Sequence, residues 1–99
     1  MSYKVRYTRE AKKDLERLFR FLLDHDLQTA GRAKDAIGKA MEFLKDFPFA
    51  CRKATSENPF LREMLISFGN SGYVVLFEIE DKTTVTILAI RHQRESDYH

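Results

Sequence analysis

Apolar residues recur along this chain with two periods, and the change from one to the other divides it into elements. Tyr3, Val5 and Tyr7 alternate with Lys4 and Arg6, the period of two expected of a strand with one buried face. From Ala11 the spacing becomes helical. Ala11, Leu15, Leu18 and Leu22 follow at intervals of four, three and four, with Phe19 and Leu23 widening the stripe on one side and Phe21 on the other. Lys12, Lys13, Glu16, Arg17 and Arg20 fill the opposite face. Thr8 supplies an N-cap hydroxyl, and Glu10 places negative charge in the first turn, where the helix dipole favours it. The polar triplet Asp24-His25-Asp26 breaks the stripe and predicts the turn of a helical hairpin, with either aspartate available to cap the next helix. His25 is expected to be a solvated loop residue.

The second helix is predicted over Leu27–Asp46, with Ala30, Ala33, Ala36, Ile37, Ala40 and Leu44 on its inner face. Large side chains on one helix and small ones on the other permit close antiparallel packing, so Ala36→Leu is expected to overpack the hairpin at a cost of roughly 1–3 kcal/mol. Phe47-Pro48 ends the helix, because proline disfavours a helical residue before it. Residues 49–59 read as an irregular crossing segment with Asn58-Pro59 as a turn signal. Three strands follow as a meander over about 60–67, 73–79 and 83–90, joined at 69–72 and 80–82. The expected fold is α+β: an N-terminal strand, a helical hairpin, and a three-stranded antiparallel meander, with the helices on one face of the sheet.

Composition narrows the picture. The 99 residues are expected to form one domain spanning 1–99. An apolar fraction of 43% with 32% charged residues is ordinary for a globular chain and excludes global disorder. The net charge of +2 is unevenly spread: residues 1–53 carry 13 Lys and Arg against 8 Asp and Glu, and residues 54–99 carry 4 against 7. Positive charge on the helical half suits an acidic protein partner and disfavours a broad nucleic-acid-binding sheet. The lone Cys51 allows no internal disulfide and no cysteine pair for zinc, so neither metal nor cofactor is expected. Arg52 and Lys53 flank it, but sequence adjacency is not the geometry of a reactive thiol. The polar N-terminus lacks the apolar core of a signal peptide, and the longest apolar run, 73–77, is too short to span a bilayer; a cytoplasmic protein without membrane contact is expected.

An ordered set of motifs now stands out. The chain opens with Tyr3, Val5, Tyr7, Thr8, Ala11, Asp14 and Leu15. It ends its helical half with Leu44, Phe47 and Pro48, and continues with Leu61-Arg62-Glu63 and with Tyr73, Val75 and Phe77. It closes with Ile87, Leu88, Ile90, His92 and Arg94. This series resembles the ParE branch of the ParE/RelE toxins over nearly the whole chain. The resemblance implies the toxin of a bacterial type II toxin–antitoxin pair, of the kind associated with plasmid stabilisation. Such a toxin traps DNA gyrase on cleaved DNA without being an enzyme. It also implies neutralisation by a ParD-like antitoxin whose C-terminal segment folds over the toxin and whose own N-terminal part binds operator DNA. The toxin itself is not expected to bind DNA sequence-specifically.

The C-terminal region and its support are then the expected target surface: Arg62, Arg91, His92, Arg94 and Tyr98. Leu18 and Leu22 of the first helix, with Val74 and Leu76 of the sheet, are the expected antitoxin contacts, because apolar residues at both strand parities leave area for a folding peptide to cover; the alternative is that both faces of the sheet are simply core. RelE-like members of the same superfamily are instead ribosome-dependent mRNA endonucleases. Cleavage through the 2′-hydroxyl needs a base, an acid and cations for the phosphate. Arg62, His92, Arg94 and Tyr98 would form that set, with Glu63 as a further base. Adjacent strand residues face opposite ways, so Arg62 and Glu63 should not share a site, nor Arg91 and His92. A third reading is a non-toxic module that only binds an antitoxin.

Overall fold

The computed structural model describes residues 2–69 and 71–93. Strand β1 covers Lys4–Tyr7, and helix α1 covers Arg9–His25. Thr8 caps α1 as the sequence requires, its side chain accepting the Ala11 amide at 3.0 Å. Helix α2 covers Leu27–Asp46. The junction is one residue long instead of three, because Asp26 closes α1 and opens α2. Its own N–H donates to the Leu22 carbonyl, while its carboxylate accepts from the Gln28 amide and the Thr29 hydroxyl. Those hydrogen bonds hold the Asp26 carboxyl below the usual carboxylate range. His25 is therefore the last residue of α1 and not a loop residue; its Nδ1 lies 2.9 Å from the Phe21 carbonyl oxygen and its ring packs on that of Phe21.

Pro48 begins a 3₁₀ turn, Pro48–Ala50, and the two-residue strand β2, Arg52–Lys53, sits inside the segment expected to be irregular. Strands β3 (Leu61–Phe68), β4 (Ser71–Ile79) and β5 (Thr84–His92) complete, among the described residues, a five-stranded sheet in the order β1-β5-β4-β3-β2. The meander is antiparallel as expected, whereas β1 runs parallel to β5, from Lys4↔Thr84 to Tyr7↔Ile87. Periodicity identifies a strand but says nothing about its neighbour or direction, so the sheet is mixed where the sequence suggested an antiparallel one. Gly69, at φ +60, turns the β3–β4 hairpin, and a Cβ at Gly72 would run into the Ile66 carbonyl oxygen.

The core lies between the helical hairpin and one face of the sheet. Ala11, Leu18, Ala33, Ile37 and Leu44 pack against Ile66, Val75, Phe77, Val85, Ile87 and Ile90. Phe21 and Leu23, expected at the margins of the α1 stripe, are exposed instead. Phe77 pairs with Ile87 and Leu76 with Ala89, so Leu88 is an extra residue in β5. This bulge reverses the parity of the strand, which lets both Ile87 and Ile90 face the core. Among the described residues no helix is long and apolar enough to cross a membrane.

Candidate functional site

Arg62 follows the parity of Met64 and Ile66 and so lies on the helix side of the sheet, where the crossing segment passes. Its Nε donates to the Pro59 carbonyl at 2.7 Å, and its Nη1 to the carbonyls of Cys51 at 2.8 Å and Phe49 at 3.3 Å. The guanidinium also stands over the Phe49 ring, 5.3 Å from its centroid. A planar fork of donors is the group suited to several carbonyls at once. Arg62 thus fastens the 3₁₀ turn and the Pro59 bend to β3. Glu63 has the opposite parity and accepts from Arg52 Nε at 3.0 Å across the β2–β3 ladder. The separation of these neighbours onto opposite faces is as expected from strand geometry. The Cys51 thiol is buried, and burial pushes its pKa up against the opposing charge of Arg62, which favours an unreactive thiol.

His92 ends β5 opposite Tyr73 and packs edge-on against the Tyr73 ring, which in turn stacks on Phe68. Tyr73 pairs with Ile66, four residues along β3 from Arg62. The two residues occupy opposite ends of the sheet and do not form one pocket. Arg94 and Tyr98 lie outside the described residues. Arg91 bonds to Asp14 of α1, a buried carboxylate that the α1 stripe gave no reason to expect inside. Asp14 lies beside Leu15, three residues after Ala11 and four before Leu18 and so on their buried face, a placement that hydrophobic periodicity misses.

The apolar surface differs from the expected antitoxin contacts. Leu18 and Val74 are each only 6% exposed, Leu18 because it faces the core. Leu22 and Leu76 are half-buried. A shallow, open groove of about 550 Å³ lies between α2 and the rim of β3, lined by Lys39, Ala40, Phe43, Cys51, Arg52, Met64 and Leu65 among others. Strand β2 pairs with β3 only at Arg62 and Glu63, so among the described residues β3 has no strand partner on that side from Met64 to Phe68. Exposed Phe43 and Leu65 flank this open edge. Unpaired strand backbone beside an apolar groove is suited to receiving an extended or helical segment. Among the described residues no group of three or more His, Cys, Asp or Glu side chains is placed to hold a metal ion.

Comparison with known proteins gives a consistent result. The ParE toxin of the type II toxin–antitoxin system, parDE, matches residues 5–97 as a family. Toxin RelE3 of Caulobacter vibrioides is 36% identical over 85 residues, covering 86% of this chain and 88% of that protein. Toxin RelE1 of the same organism is 30% identical over 79 residues, covering 80% and 82%. The solved chromosomal ParDE toxin–antitoxin system from P. aeruginosa contains a chain that superposes with a TM-score of 0.67 at 20% identity, over 92% of this chain and 96% of that one, which shows the shared fold. The mixed sheet under a helical hairpin, together with a family match across nearly every residue, places this chain in the ParE family of type II toxin–antitoxin toxins.

Proposed function

We propose that this toxin acts in the cytoplasm on DNA gyrase, stabilising gyrase on cleaved DNA without catalysing a reaction itself. A cognate antitoxin holds it inactive from the groove between α2 and the open edge of β3. The observation that favours this reading over RNA cleavage is the engagement of Arg62, which also takes that residue out of the expected target surface. A phosphate-holding arginine needs its guanidinium available to substrate, and this one is occupied by three carbonyls and an aromatic face, far from His92 in the sheet register. The family match over residues 5–97 supports the same branch. The groove reading rests on the unpaired β3 rim and its apolar lining.

The second reading is a ribosome-dependent mRNA endonuclease, favoured by the RelE names of the two Caulobacter relatives. One titration separates the two. Purified toxin is added to gyrase with relaxed plasmid and ATP, and in parallel to a translating extract probed by primer extension. Loss of supercoiling with accumulation of cleaved plasmid, and intact message, is the expected result. Codon-positioned mRNA cleavage with unaffected gyrase would replace the gyrase reading by the endonuclease one.

A further inference from the structure

Asp14 takes no part in the reading above, yet its surroundings are unusual for a helix stripe. It is 8% exposed, at a position where α1 would otherwise offer an apolar side chain to the core. A buried carboxylate is retained at low cost only when its charge and its lone pairs are both met. One oxygen accepts the Ile90 backbone N–H at 3.0 Å. The other pairs with the Arg91 guanidinium, with Arg17 of the next helical turn 3.9 Å away. Both β5 partners lie more than seventy residues away along the chain, so the carboxylate is a tertiary tie and not a local cap.

Its location gives the tie a purpose. Strand β1 accompanies β5 only as far as Ile87, and the bulge at Leu88 follows. There the start of α1 takes over from the strand. Thr8 donates its N–H to the Ile87 carbonyl and its hydroxyl to the Leu88 carbonyl, and Asp14 then meets the Ile90 N–H. The last residues of β5 are therefore bordered by a helix, and one carboxylate fixes both their backbone and the Arg91 side chain. The groove between α2 and β3 lies two strands away in the sheet order.

We propose that Asp14 is the positioning residue of the toxic surface. It holds the end of β5, and with it Arg91 and His92, in a set orientation against α1, without itself touching the target. This inference rests on the reading that the end of the chain carries toxicity. A carboxylate that merely fills the core would, when lost, lower stability, antitoxin affinity and toxicity together. A positioning carboxylate affects toxicity selectively, because the antitoxin groove is built from other elements.

The test uses full-length toxin carrying Asp14→Asn, Arg91→Gln or both, each assayed for growth arrest on induction, gyrase cleavage, affinity for the neighbouring-gene antitoxin, and melting temperature. Each single change is expected to raise the dose for growth arrest and cleavage by about tenfold while antitoxin affinity stays within about threefold, and the double variant should be no worse than the singles, since the two groups act as one unit. Wild-type potency in folded D14N would overturn the proposal, as would loss of antitoxin affinity in step with toxicity. If D14N does not fold, R91Q decides: its guanidinium is partly exposed, and wild-type potency there also refutes the positioning role. If the wild-type toxin arrests growth while sparing gyrase, the gyrase reading falls, and Asp14 is judged on growth arrest alone by the same criteria.

Discussion

The guanidinium of Arg62 gathers carbonyls from Phe49, Cys51 and Pro59, which places a single charged side chain at the junction of the crossing segment and the sheet. Arg62→Met removes all of these charge-assisted bonds and should lower stability by about 2–3 kcal/mol, read as a fall in melting temperature. Arg62→Lys should recover little of it, because a point charge cannot form the same fork. A methionine variant that melts like the wild type would show that the crossing segment holds without the clamp. The residue was singled out from its Leu-Arg-Glu setting, but its partners were not legible, since three backbone carbonyls in an aperiodic loop leave no side-chain pattern to read. Asp14 was similarly hidden. It belongs to the opening motif, yet a charged residue in a helical stripe reads as a gap in the buried face until the strand amide that it satisfies is located. Leu18 shows the converse: its helical spacing correctly placed it on the buried stripe, and for that reason it offers little surface in the free protein.

Elements were legible wherever period and punctuation agreed. The start of α1 at the Thr8 cap, the full span of α2 and its stop before Pro48 all follow from local chemistry. The bulge at Leu88 and the two-residue β2 did not show, because both are set by the neighbouring strand rather than by the residues themselves. The helical hairpin supplies a test of the small-against-large packing argument. Ala33 is fully buried, whereas Ala36 lies half-buried at the rim of the same face. Ala33→Leu should therefore cost roughly 1–3 kcal/mol by overpacking. Ala36→Leu should cost less than the Ala33 change, because a side chain at the rim can lean into solvent. Thermal melts of the two variants check the order; equal losses would mean that the whole face is equally tight.

For the molecule as a whole, the two proposed surfaces lie on either side of the central strand β4, the antitoxin groove at β3 and the target surface at β5. Removal of residues 92–99 would take away His92, which is paired with Tyr73 and packed on its ring. A chain ending at residue 93 leaves that strand whole. It should lose growth-arresting activity while keeping antitoxin affinity within about threefold, on the expectation that separated sites vary independently. Isothermal titration alongside an induction assay checks this, and concurrent loss of both would show that residues 94–99 support the fold. The overall architecture was legible from periodicity and motif order, but the parallel pairing of β1 with β5 was not.

That pairing has a consequence for how the toxin comes into being. Among the described residues the first strand in chain order pairs with the last, and helix α1 satisfies its buried carboxylate on that same strand. Contacts between such distant stretches form slowly and late, since the intervening chain must first be complete. A polypeptide halted before residue 84 has neither the seat for β1 nor the partner for Asp14. Synthesis interrupted before that point therefore yields fragments in which neither the β1–β5 pairing nor the Asp14 tie can form.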